Sequence, residues 1–345
     1  MSKRVGEGTV ELTSRPRVAA WSSTVGKKER EGPLGISFDF TLGDDLLGQK
    51  TWELAEAAML RDTVCRCMDK AGLEPEDADV LLSGDLINQI MAAHFCAREL
   101  RVPMLGLYSA CSTMSEALAI GGMLVDSGAA RRAVCAVSSH FSTAERQFRT
   151  PLEQGGQRPA SAQWTVTGAG ATLLCGKDYA PDNAETVVSM RYATIGRVID
   201  YAIKDMSNMG AVMAPAAADT LERHLLDIGR AADDYDEIIT GDLGKVGRDL
   251  LLELLKEKGV KVDRNRVWDC GASIFSPEQD AHAGGSGCGC SAAVLNGHIL
   301  GRLMKGEARR VVFMATGALL SATSVLQGET IPGVAHLVVL ERDGE

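Results

Sequence analysis

The sequence predicts an α/β protein built from two pseudo-symmetric halves, and three observations carry that expectation. Residues 77–86 read DADVLLSGDL and 234–243 read DYDEIITGDL, each an acidic turn, an apolar run of strand type and Gly-Asp-Leu. Downstream, 107–140 read LYSACSTMSEALAIGGMLVDSGAARRAVCAVSSH and 286–321 read SGCGCSAAVLNGHILGRLMKGEARRVVFMATGALLS. Both pass from a small-residue turn holding cysteine, through an apolar helix, to a Gly-containing break, an Arg-Arg pair and an apolar strand. No low-complexity linker separates the copies, so 1–180 and 181–345 are expected to form one continuous body.

The elements follow in order. A first strand is expected near 17–22, then a Gly-rich charged loop. The spacing of Leu54, Ala55, Ala58, Met59 and Val64 gives a helix over 50–70 one buried face, and Gly72 ends it. Strands at 80–83 and 103–108 flank a helix at 88–100, and 111–125 is apolar on nearly every side, which marks a buried central helix. Strands at 133–138 and 164–175 complete the first half. The second half opens with a strand at 188–195 and a helix at 210–226, then repeats the order with helices near 246–258 and 289–304 and strands near Ile238, Val311 and Val334.

Composition narrows the function. The 345 residues carry 36 basic and 46 acidic side chains, a net charge of -10 that argues against nucleic acid as a partner. The longest clean apolar run, 311–320, falls short of the roughly 20 residues of a membrane span, and the charged N-terminus lacks a signal-type apolar stretch. An intracellular protein, soluble or peripheral on a membrane, is expected. Nine cysteines sit mostly in apolar segments and suit reduced core thiols. The CRC at 65–67 and CGC at 288–290 lack the spacing and second ligand pair of a zinc site. No metal site and no resident cofactor are expected.

Cys at the start of the buried helix in SACST, with TVTGAGATLL at 165–174, resembles the thiolase superfamily over essentially the whole chain. Within it the chain is similar to the stage V sporulation AD family, through GPLG, LLSGDLINQ, ACST, SSH, TAERQFR, GGQRP, MAPAAADT, YDEIITGDL, GGSGC, ATGALLS and ETIP. The resemblance implies a thiolase-like five-layered αβαβα fold and binding of dipicolinic acid, pyridine-2,6-dicarboxylate. It also implies a place beside the other stage V sporulation A membrane proteins of the forespore or spore inner membrane, loading dipicolinate and acting in its release at germination. A homodimer is a further expectation of the superfamily.

Condensing enzymes of this superfamily use a cysteine that takes the acyl group, helped by the positive end of its helix. Cys111 has that placement. They also need a His, with a second His or an Asn, from the C-terminal half. There 240–244 reads TGDLG where His-Gln-Ala-Asn is expected, and 283–287 reads AGGSG in place of Gly-Asn-Thr-Ser. Cys111 is therefore expected to be a vestigial nucleophile in a pocket that has lost condensation chemistry. The alternative is a Cys-dependent acyltransferase or condensing enzyme acting on an acyl-thioester. His282, in the polar stretch SPEQDAHAG, would be its displaced acid/base group or else a solvated loop residue.

A planar dicarboxylate calls for guanidinium forks and backbone N–H groups at helix starts. The expected ligand-binding set is Cys111, Ser112, His140, Arg146, Gln147, Arg149, Gly285 and Ser286, with Ser138, Ser139, Gln157 and Arg158 in the same segment. Its opposing interpretation is a solvated loop whose arginines pair with Glu145 and Glu153. Calcium enters only as part of the ligand, since dipicolinate chelates it. Asp85 and Asp242 occupy equivalent places in the two halves, either as carboxylates for such a chelate or as caps of the helices that follow.

Overall fold

The computed structural model describes residues 3–148, 158–179 and 188–343. Its first half holds strands β1 (Arg17–Val25), β2 (Val80–Gly84), β3 (Met104–Gly106), β4 (Arg132–Ser139) and β5 (Gly168–Cys175). Its second half holds β6 (Val188–Thr194), β7 (Glu237–Thr240), β8 (Val267–Asp269), β9 (Arg310–Ala318) and β10 (Gly333–Arg342). The order across the first array is β1-β5-β4-β2-β3 and across the second β6-β10-β9-β7-β8, the same path twice. In each, the first three strands are antiparallel neighbours and the last three are parallel. The arrays join at a single antiparallel pair, Arg17 with Ser189.

Helix α1 (Trp52–Lys70) covers β1, β5 and β4, and α2 (Met91–Leu100) covers β2 and β4. Helix α3 (Thr113–Ser127) lies between the arrays, touching β2, β4 and β5 on one side and β6, β9 and β10 on the other. Helix α4 (Phe141–Phe148) follows β4 directly. The far side carries α5 (Met209–Ile228) on β9 and β10, with α6 (Gly244–Glu257) packed against it. Helix α7 (Cys288–Val294) joins α3 in the middle and continues through a π turn, Leu295–Ile299, into Leu300–Lys305. The layers therefore run αβαβα.

The duplicated words of the sequence touch each other. The Asp79 carboxylate accepts from the backbone N–H groups of Arg131 at 2.7 Å and Arg132 at 3.0 Å. Asp236 accepts from those of Arg309 at 2.8 Å and Arg310 at 2.9 Å. Each acidic turn thus fixes the entry of the strand that follows the central helix, which is why the turn and the Arg-Arg pair recur together.

Three expectations change. The segment after Ser139 is helical over Phe141–Phe148 instead of a loop. The strand expected at 164–175 breaks after Thr165, because Trp164–Thr165 pairs in parallel with Gly285–Ser286 of the second half while β5 stays in its own array. The apolar run near 267 adds the edge strand β8. The boundary near 180 falls outside the described residues.

Candidate functional site

Cys111 sits in a tight turn between the edge strand β3 and the central helix α3. Ala110 adopts φ 48°, the left-handed region that is costly for a residue with a Cβ. The turn is locked by hydroxyls: Ser112 donates to the Ser109 carbonyl at 2.8 Å and Thr113 to that of Ala110 at 2.7 Å. Two glycines press on it from opposite sides. A Cβ at Gly84 would stand 2.2 Å from the Leu107 carbonyl oxygen, and one at Gly317 would stand 2.3 Å from that of Ser109. Only glycine lets β2 of one half and β9 of the other close on the same turn.

The group facing Cys111 is a carboxyl. Asp242, at the end of β7, accepts the Gly287 N–H at 2.9 Å, the Ser286 hydroxyl at 3.2 Å and the Thr316 hydroxyl at 3.0 Å, and the Cys111 thiol is hydrogen-bonded to it. Burial is the main reason the Asp242 carboxyl is pushed up to about 7, with the nearby Asp269 adding to it. Burial, then the Asp242 charge, push the Cys111 thiol well above its ordinary value. A helix N-terminus normally favours thiolate. Here burial and the facing carboxyl outweigh it, and the thiol stays protonated.

Asp85 and Asp242, equivalent in sequence, do different work. Asp85 accepts the N–H groups of Ile87 and Ala93, both at 2.8 Å, and so caps the start of α2. Asp242 does not cap the helix that follows it. Asp269 does, taking the N–H groups of Leu243 at 2.8 Å and Gly244 at 2.9 Å.

Beside Cys111 lies a cavity of about 70 Å³, large enough to hold ordered water. Tyr108, Phe148, Leu86 and Leu320 form one part of its wall, and Met206, Met209 and Met213 another. Glu145, Thr165 and Ser286 are its polar lining. Burial pushes the Tyr108 hydroxyl up to about 12, so it remains a donor. The N-terminal ends of α3 and α5 both reach this space, through Cys111 and Met209, and their dipoles favour an anion there.

The expected residues divide. Cys111 and Ser286 line the cavity. Gly285 lies just behind, its carbonyl accepting from the Gln163 amide at 2.7 Å. Ser112 is buried and spends its hydroxyl in the turn. His140 faces away: Nδ1 accepts the Ser142 N–H at 3.1 Å, so Nε2 carries the proton and donates to the Asp45 carbonyl at 2.9 Å. Burial holds its pKa down and keeps it neutral. Arg146 projects outward to pair with Glu53, because on α4 the cavity-lining residues are Ala144, Glu145 and Phe148, one turn apart. Gln147 accepts the Asn88 N–H at 2.7 Å in an outer groove. Ser138 donates to Glu56 and Ser139 to the Val166 carbonyl, both inside the core. Arg149 and Gln157 lie outside the described residues. Arg158 lies over Trp164, 4.5 Å from the ring centre, and 3.6 Å from Glu145.

His282 pairs with Asp280 at 3.4 Å beside Lys245 and is not among the residues lining the cavity. A histidine that sequence reasoning passed over lies closer to the Cys111 turn. His336, on β10, bonds the Ser109 hydroxyl at 3.2 Å through Nε2 and accepts the Gly196 N–H through Nδ1, and burial holds it down at about 4. The methionine wall was also missed, since it carries no motif. Glu145 and Phe148 could have been found from the spacing of Phe141, Ala144 and Phe148.

Solved structures share this architecture. Human mitochondrial 3-ketoacyl-CoA thiolase superposes with a TM-score of 0.61 at 13% identity, covering 96% of this chain and all 100% of the other. The 3-oxoacyl-[acyl-carrier-protein] synthase III of Aquifex aeolicus gives 0.57 at 13% identity, covering 94% and 99%. At those identities the likeness shows the thiolase-like fold alone. Stage V sporulation protein AD of Bacillus subtilis is 47% identical over 322 residues, 93% of each chain. With the family model for Stage V sporulation protein AD (SpoVAD) matching residues 6–341, the chain belongs to that family.

Proposed function

We propose that the chain is a binding subunit of the sporulation apparatus that takes dipicolinate, or its calcium chelate, into the cavity beside Cys111 and performs no condensation. The observation that carries this is the pairing of Cys111 with Asp242. A condensing enzyme needs a thiolate and, opposite it, donors for a developing enolate oxygen. Here burial, and then the facing carboxyl, hold the thiol protonated, and when Asp242 is ionised its charge repels an enolate.

The rest of the site suits a flat anion. Tyr108 and Phe148 offer ring faces, and the three methionines offer thioethers that contact aromatic rings favourably. Two helix starts favour its carboxylates. Glu145, in the cavity wall, favours the calcium chelate over the free dianion, because calcium bound by dipicolinate still accepts further oxygen ligands, and Asp242, buried behind the wall, adds negative charge when ionised. No helix among the described residues is long and apolar enough to cross a membrane. On this proposal the chain works as a peripheral partner of the stage V sporulation A membrane proteins at the forespore or spore inner membrane.

Calorimetric titration with dipicolinate, with and without calcium, tests the proposal, with isophthalate as the control that lacks the ring nitrogen. The expected result is saturable heat for dipicolinate, larger affinity with calcium, and a loss of less than about tenfold in Cys111→Ala. No heat for either form, together with covalent labelling of Cys111 by an acyl-thioester, would return the protein to the acyltransferases.

A further inference from the structure

Outside the cavity lies a wider groove of about 760 Å³, lined by Asn88, Gln89, His94, Gln147, Ser321 and Thr323 among others. Three residues border both spaces: Tyr108, Phe148 and Leu320. They come from three different strand ends, after β3, after β4 by way of α4, and after β9, so both halves contribute. We propose that solutes reach the Cys111 cavity through this groove, and that Tyr108, Phe148 and Leu320 form the constriction that selects flat aromatic carboxylates over bulkier, non-planar ones.

The backbone beneath the constriction is fixed. Leu107–Ser109 is held between Gly84 and Gly317, neither of which has room for a Cβ. The neighbouring turn is strained, with Gln89 at φ 57° and Ile90 at φ 45°, the second a β-branched residue for which this region is an outlier. Its side chain fills the space where Gly106 would carry a Cβ, 2.5 Å from that position, which ties the strained turn to the end of β3. Gln147 holds the same turn from α4, accepting the Asn88 N–H at 2.7 Å and donating to the Leu86 carbonyl at 3.3 Å. Passage past Tyr108 therefore depends on the rotamer of its side chain over a fixed backbone. A flat ring slips between Tyr108 and Phe148 edge-on, whereas a tetrahedral or branched carbon must push both aside. The groove itself suits a hydrated carboxylate: among the described residues its lining holds amides, hydroxyls and one histidine, and no Asp or Glu.

The selectivity rests on the ligand proposed above, but the route does not, and the experiment separates them. Alkylation of Cys111 by iodoacetamide and by a bulky N-aryl maleimide is followed by mass spectrometry of its peptide, with the partly buried Cys65 as internal control. Tyr108→Ala and Phe148→Ala are expected to raise the Cys111 rate with maleimide by about tenfold or more, and with iodoacetamide by less, at constant Cys65 rate. Leu320→Trp is expected to lower both Cys111 rates. Because unfolding raises thiol labelling, the slowed Leu320→Trp variant remains decisive even if the alanine variants fold poorly. Unchanged Cys111 rates in all three variants would overturn the route, whatever the dipicolinate titration shows. If the route stands, dipicolinate association and dissociation should accelerate together in Tyr108→Ala. An accelerated dissociation alone would reduce Tyr108 to a contact and overturn its role in selection.

Discussion

At Cys111, burial and a facing carboxyl together oppose the thiolate that a helix start favours. Its place before a fifteen-residue helix would favour thiolate, but the carboxyl of Asp242 faces it and both groups are buried. Asp242→Asn can keep one acceptor oxygen for the Gly287 N–H and the Ser286 hydroxyl and turn its amide N–H toward the Thr316 hydroxyl, which then accepts, while the charge is removed. The Cys111 thiol should then fall toward its ordinary value, and iodoacetamide should label it faster at neutral pH, roughly tenfold for every pH unit by which the thiol becomes more acidic. A pH profile of labelling in both proteins checks this, and coincident profiles would show that burial alone sets the thiol. The same variant should bind free dipicolinate more tightly and lose its preference for the calcium chelate, since a negative charge leaves the site.

At the scale of elements, the fold was legible wherever the sequence repeats itself. The acidic turn, strand and Gly-Asp-Leu word predicted β2 and β7, and the recurring Arg-Arg pair meets the recurring Asp through backbone bonds. The site was legible in part. Cys111 and Ser286 were found because they sit at strand-to-helix turns, where such sheets place ligands. Arg146 was not, because a run of polar residues reads as a loop while the helical periodicity of α4 turns Arg146 away as it turns Glu145 inward. Met206, Met209 and Met213 were beyond reach, since only the closure of one half on the other brings them to Cys111. That closure runs through Gly84 and Gly317. Gly317→Ala would place its Cβ 2.3 Å from a backbone oxygen, a contact that side-chain motion cannot relieve. A loss of roughly 1–3 kcal/mol, the usual cost of overpacking, is expected in urea denaturation, with dipicolinate binding reduced beyond what stability explains. Full stability in Gly317→Ala would mean that the turn can shift and that the close approach is not required.

Over the whole molecule the unusual feature is the number of buried carboxyls that are held by neutral donors. Glu29 accepts the Thr167 N–H at 3.1 Å and is pushed by burial to about 7. Glu56 accepts the hydroxyls of Ser138 at 3.1 Å and Thr143 at 2.7 Å; burial, then the Asp85 charge, raise it. Burial also raises Asp85, Asp242 and Asp269. Because these groups hold protons in the folded state at pH values where the unfolded chain has lost them, each makes stability fall as pH rises toward its folded value. Buried histidines act in the opposite sense. His336, held at about 4, and His224, held at about 3, are neutral in the fold while the unfolded chain protonates below about 6.5, so they make stability rise with pH up to that point. The two trends oppose each other below about 6.5, and above it only the carboxyls remain. Five such carboxyls outweigh the two histidines, so the urea midpoint should already be falling by pH 6 and decline further toward pH 8, with roughly 1.4 kcal/mol at stake for each pH unit separating a group's folded and unfolded values. Glu56→Gln, which cannot ionise and can accept from Ser138 while its amide donates to the Thr143 hydroxyl, should flatten that decline. A midpoint that holds or rises from pH 6.5 to 8 in the natural sequence would mean that water or a counter-ion reaches these carboxyls and that they are ionised in the fold.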